Sequence, residues 1–325
     1  MYAGIDIHKS FCQAILMTED GRVVKEEKVE TSQEGLRKFF QGVTNVKIAI
    51  ESTCIWEPVY ECLSELGHDV RLAHPLKTKA IGYAKIKTDK IDAKTLVDLL
   101  RADLLPESYV PDKPIRNLRN LCRERKNIVG ERTKWKNRIS AELGRRGIKK
   151  KVRDLYTKEG KRWLFSLGIP KIERILSIID VLDDKINEID KVLKKIYEKN
   201  DEIKILTSIP GVGVYSACLI YAEIGDIRRF PHSEKLCSYA GLVPSTHQSG
   251  VYTKHGRITK EGSRYLRWIL TECVQIHVAK YDTKLTRFYR RLVSRIGKQK
   301  AIIATARKLT KIIYCILTSK EEFRG

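Results

Sequence analysis

Four acidic side chains in this otherwise basic chain have the types and spacing for phosphoryl chemistry: Asp6, Glu51, Asp89 and Asp92. Asp6 and Glu51 each end a short apolar run, residues 2–6 and 46–51. Asp89 and Asp92 open the apolar-periodic stretch 88–100, three residues apart, so they share one face of a helix. Two strand-end carboxylates and a helix-borne pair can converge on one point. Carboxylates that close repel, and the usual remedy is a divalent cation. Hard oxygen ligands suit Mg²⁺ or Mn²⁺. A pair of such ions about 4 Å apart can activate a nucleophile and stabilise a leaving oxygen at phosphorus.

A second constellation lies in residues 236–268. Ser249 stands in a Gln-Ser-Gly step, read as an exposed polar loop, and the cations Lys254, Arg257, Lys260, Arg264 and Arg267 follow it. A hydroxyl attacking phosphorus needs such cations around the transferring group. By composition alone Ser245, Tyr239 and Tyr252 compete with Ser249, because Ser-Gly is also ordinary turn chemistry. Upstream, Gly211 and Gly213 bracket a turn that resembles one hairpin of a helix-hairpin-helix. Backbone N–H groups at the following helix N-terminus can hold a phosphate there without reading sequence. His8, His74, His247 and His255 lie near these motifs and are assigned to phosphate contact or packing before metal ligation.

The charge agrees with a polyanionic partner. The 325 residues carry a net charge of +23. Residues 113–165 hold 19 Lys/Arg against 5 Asp/Glu, and residues 251–325 hold 18 against 5, while the remainder is slightly acidic. Two basic segments flanking a nearly neutral centre point to phosphate neutralisation. No run of 18 apolar residues and no leader pattern is found, so neither a membrane span nor a signal peptide is expected. The eight cysteines are scattered without a C-x-x-C pair and read as small core residues.

The elements that must position the acids follow from periodicity. Residues 2–7, 11–17 and 22–31 are predicted strands. Ser32 caps a helix, 46–50 and 70–73 are further strands, and 55–66 is a helix with Pro58 in its first turn. Asp89 is available to cap the helix that carries Asp92. Three strands followed by alternating helices and strands is the order of ribonuclease H-like folds. Prolines at 106, 111 and 114 mark a boundary. Long helices are predicted over 115–143 and 171–200, with apolar residues recurring at three and four as in a coiled coil. The resulting division is a catalytic domain over 1–106, a basic helical segment over 107–200 and a mostly helical domain over 201–325.

Several motifs resemble the transposases of insertion-sequence family 110, the DEDD recombinases that include invertases of the Piv type. These are GIDIHK at 4–9, IEST at 50–53, KTDKIDA at 87–93, SIPGVG at 208–213, YAGLVP at 239–244, QSG at 248–250 and ITKEG at 258–262. The resemblance runs over nearly the whole chain. It implies a RuvC-like DEDD domain, a coiled-coil segment and a C-terminal transposase domain whose catalytic serine is Ser249. It further implies an RNA-guided recombinase that exchanges strands through a phosphoserine link. Its partners would be target and donor duplex DNA and a non-coding bridge RNA, in a dimer or tetramer. The expected setting is the cytoplasm and nucleoid of a prokaryote. Two other readings fit parts of the chain. One is a metal-dependent junction-resolving nuclease that activates water and forms no covalent intermediate. The other is a non-enzymatic nucleic-acid-binding protein on a ribonuclease H-like or actin-like core.

Overall fold

The computed structural model describes residues 1–81, 88–249 and 252–324, with the backbone alone for 246–249 and 252–255. It divides into two compact units, Met1–Val110 and Pro111–Gly325.

The first unit is a mixed α/β sheet. Strands β1 (Tyr2–Ile7), β2 (Phe11–Met17) and β3 (Val23–Glu30) form an antiparallel meander, and helix α1 (Gln33–Phe39) follows under its Ser32 cap. Strand β4 (Lys47–Glu51), helix α2 (Trp56–Glu65) and strand β5 (Asp69–Ala73) continue the alternation. Helices α3 (Pro75–Ile81) and α4 (Asp89–Arg101) complete it. The sheet order is β3-β2-β1-β4-β5, with β4 parallel to both β1 and β5. The three inner strands are apolar because both faces are covered. Ala3, Ile5, Ile48 and Ile50 pack towards α1 and α2, and Ala49 packs against Leu96 and Leu100 of α4. Strand β3 is an edge, and its Lys and Glu side chains discourage further pairing.

The second unit is almost wholly helical. Helices α5 (Lys113–Arg145) and α7 (Pro170–Lys199) run antiparallel, tied by bidentate Arg125–Asp190 and by Arg132–Asp183. A helix that the periodicity does not reveal, α6 (Lys158–Ser166), lies between them under a Thr157 cap. It is only nine residues long, too short for a repeat to declare itself. Its Leu164 joins Ile139, Leu143, Ile172 and Ile175 in a small separate core. The larger core gathers α5 and α7 with α8 (Asp201–Leu206), α9 (Val214–Ile224) and α10 (Ser233–Tyr239). It also takes in α11 (Arg264–Lys280), α12 (Lys284–Ile296) and α13 (Lys298–Ser319). The basic helical segment therefore shares its core with the C-terminal residues. Strands β6 (Pro244–Ser249) and β7 (Tyr252–Ile258) form an antiparallel ribbon in this unit. Among the described residues no helix is long and apolar enough to cross a membrane.

Candidate active site

Asp6 is the penultimate residue of β1 and is nearly inaccessible, at 3% exposure. It shares a sheet face with Gly4, two residues earlier. A Cβ on Gly4 would stand 2.2 Å from the Ala93 carbonyl oxygen and 2.8 Å from the Val97 nitrogen. The missing side chain thus lets α4 lie directly on β1, and the first turn of α4 arrives beside Asp6. Thr88 caps that helix by accepting from the Ile91 N–H at 3.3 Å. The capping role open to Asp89 is taken by Thr88, and the Asp89 carboxylate is turned to another use.

Between the two carboxylates stands His8. Its Nε2 lies 3.1 Å from an Asp6 oxygen and 3.2 Å from an Asp89 oxygen. The turn from β1 to β2 fixes it: the His8 N–H donates to the Phe11 carbonyl, the Thr31 hydroxyl donates to the His8 carbonyl, and the ring rests on Phe11. Ligand atoms of Asp6, His8 and Asp89 all fall within 4.8 Å of one another. Sequence alone assigns His8 to phosphate contact or packing. Only its spacing two residues after Asp6, past the strand end, signals otherwise.

Glu51 follows Ile50, which pairs with Ile5, so Glu51 sits level with Asp6 on the adjacent parallel strand. Asp92 lies one turn beyond Asp89 on α4. Both are half-buried and both have polar partners of their own, and neither belongs to the three-residue cluster.

The cluster fits a divalent cation. His8 Nε2 is shielded from solvent yet makes no hydrogen bond, although two carboxylate oxygens face it. Among the described residues no lysine or arginine pairs with Asp6 or Asp89. A buried carboxylate without a cation is costly, and an ion shared among these three groups removes that cost. Two carboxylates suit Mg²⁺ or Mn²⁺ as cofactor, and the imidazole adds a nitrogen that Mn²⁺ accepts more readily.

The residues of the second unit are disposed as follows. Ser249 ends β6 opposite Tyr252, on a strand and not in a free loop; its side chain and that of Lys254 lie outside the described residues, as does Gly250. Arg257, Lys260 and Arg264 are exposed. Arg267 is half-buried and donates to the Ala240 carbonyl at 3.1 Å, and burial holds its guanidinium below the usual range. Gly211 has φ +89°, and a Cβ there would meet the Cys273 oxygen and the His277 nitrogen at 3.0 Å. Its freedom serves the close approach of α11. Gly213 is the open residue at the start of α9.

Comparison with known proteins agrees with this geometry. Residues 3–145 match a family of DEDD transposases, and residues 203–290 match the transposase IS116/IS110/IS902 family. The transposase for insertion sequence element IS1111A of Coxiella burnetii is 27% identical over 99% of this chain and 90% of its own. A probable family 20 transposase of Pseudomonas aeruginosa is 25% identical over 99% and 98%. The pilin gene-inverting protein of Moraxella lacunata is 27% identical over 99% and 97%.

These findings correct the reading of Ser249 as the nucleophile of a strand exchange through a phosphoserine link. The Asp6–His8–Asp89 cluster lies wholly in the first unit and in the segment matched to DEDD transposases. A metal site of this kind performs phosphoryl transfer with water and needs no side-chain nucleophile.

Proposed function

Because the chain belongs to the IS110/IS116/IS902 transposases, we propose that it cuts DNA as a metal-dependent, RuvC-like strand-cleaving enzyme, leaving no covalent link between protein and DNA. The observation that carries this reading is the convergence of Asp6, His8 and Asp89, where among the described residues no lysine or arginine pairs with the two acids. A divalent ion bound there would supply positive charge at phosphorus and a stronger nucleophile at neutral pH. Asp6 and Asp89 would hold the ion. Glu51 and Asp92, on the same side of the sheet, would complete the acidic set around the scissile phosphate. His8, its ring set against Phe11 and its backbone held by Thr31, would offer its Nε2 to the same ion. Asp6 is buried while His8 and Asp89 are partly exposed, so the site is open to substrate on one side.

DNA is the substrate of this enzyme class, and the basic segments 113–165 and 251–325 are suited to its backbone. The gene-inverting relative extends the reading to rearrangement of segments within one DNA molecule. Branched junctions are the substrate that such rearrangement generates, so we assign the cleavage to them. As partners we add a second copy of the chain, since paired cuts need paired sites, and a non-coding RNA on the same basic surfaces; both rest on the resemblance and the charge.

The test uses full-length protein with labelled junction and linear duplex DNA. Cleavage is expected with Mg²⁺ or Mn²⁺, to stop with chelator, and to leave all label free of protein after denaturation. Cutting in chelator, or a denaturation-resistant protein–DNA adduct, would overturn it.

A further inference from the structure

The second unit contains a cleft of about 1110 Å³ between β7 and the helices α12 and α13. Its walls are basic. Arg257 and Lys260 stand on one side, and Lys300, Arg307 and Lys308 of α13 on the other. Among the described residues none of these five pairs with an acid. Positions 300, 304, 307, 308 and 311 share one face of α13, since neighbours three and four apart are superposed on a helix. At about 1.5 Å rise per residue, the row from Lys300 to Lys308 spans roughly 12 Å.

Arg307 is half-buried and lines the cleft. Its Nε is shielded from solvent and makes no hydrogen bond. That nitrogen lies out of reach of the open cleft, so an anion there would meet the terminal NH₂ groups of the guanidinium. The floor is of a different character. Phe288, Ile258 and Ile303 line it, and Phe288 is half-buried with part of its ring accessible. An apolar, aromatic floor between cationic walls is the arrangement that takes bases on one side and phosphates on the other.

We propose that this cleft binds an unpaired strand of DNA, with its phosphates on Arg257, Lys260, Lys300, Arg307 and Lys308 and a base against Phe288. A duplex presents its bases stacked inside a convex surface and offers nothing to an apolar floor. An unpaired strand presents both. The inference rests on the proposed function in so far as strand cleavage and rearrangement produce unpaired DNA. It names residues of α13 that no motif singled out.

The experiment measures binding of full-length protein to a fluorescent oligo-dT, a duplex of equal length and an oligo-rU, in chelator and at several salt concentrations. Chelator removes cleavage from the readout, so failure here is distinct from failure of the metal centre. The double variant Lys300→Gln/Arg307→Gln is compared with Arg291→Gln/Arg295→Gln, which removes the same charge from α12 outside the cleft. The first should weaken oligo-dT binding about tenfold or more and lower the salt slope by about 1.4, at roughly 0.7 per phosphate contact on a single strand. It should change duplex binding less, and the second variant should leave oligo-dT binding near wild type. Phe288→Leu keeps the apolar packing and should weaken oligo-dT without changing the salt slope. Equal losses from both double variants, an unchanged oligo-dT affinity, or selective loss of oligo-rU would each overturn the proposal.

Discussion

The two units treat buried carboxylates in opposite ways. In the second, Glu142 is 2% exposed and is met by Arg145, Arg146 and Lys171 at 2.7–2.9 Å. Glu223 is fully buried and takes both donors of Arg123 and the Ser263 hydroxyl. In the first unit, Asp6 is buried to a similar degree, yet it faces another carboxylate across a histidine. Where a carboxylate serves the fold, cations of the chain neutralise it. Where two carboxylates stand side by side and no lysine or arginine among the described residues meets them, a bound cation is the natural counter-charge, and that separates a candidate functional centre from a structural ion pair.

The contrast can be broken most severely at the metal centre. Asp6→Asn or Asp89→Asn should lower metal-dependent cleavage by about 10³-fold or more, because charge stabilisation at phosphorus is lost. The thermal midpoint should stay level or rise, since repulsion is relieved. A drop of many degrees would mean that the pair is structural after all.

Arg123→Ala should do the reverse. It strands Glu223 without its cation and should cost about 3–5 kcal/mol in denaturant unfolding of the second unit. Calorimetry of the intact chain should show one transition moved and the other in place.

Glu142 sharpens the comparison through pH. The Lys171 ammonium, with Arg145 and Arg146, pulls its carboxyl down to about 2. A carboxyl depressed in the folded state contributes stability that is complete above its ordinary, unfolded value. That stability fades as pH falls from there towards 2. Wild type should therefore lose stability across that acid window, and Glu142→Gln should flatten the loss while being less stable at neutral pH.

The smallest effect is expected at the hydroxyl. Ser249→Ala should leave metal-dependent cleavage near the wild-type rate in a junction assay, with the same unattached products. Loss of cleavage together with loss of an adduct in wild type would return the nucleophile to β6.

Much of the first unit is legible in the sequence because its signals are local. Alternating apolar runs locate β1 to β5 within a residue or two, and Ser32 announces α1. Asp6 at the strand end and Asp89 on α4 are legible as candidates for the same reason. What escapes is set by packing. His8 follows a strand and looks like turn chemistry until α4 is laid across Gly4, which brings Asp89 to it from far along the chain. Helix α6 is too short to show a period. The basic cleft draws on β7 and α13, whose cations look like any solvated helix face until the two are brought together. Ser249 misleads for the converse reason: a motif that reads as a loop lies on a paired strand.

Gly4 has one more consequence. The distance between β1 and α4 is fixed where main chain meets main chain, with no side chain between them to swell, shrink or change rotamer. The span across the acid centre is therefore a property of the backbone itself. Substitutions elsewhere in the core can change how firmly the unit holds together without resetting that span, whereas a single methyl group at position 4 would act as a wedge and open it.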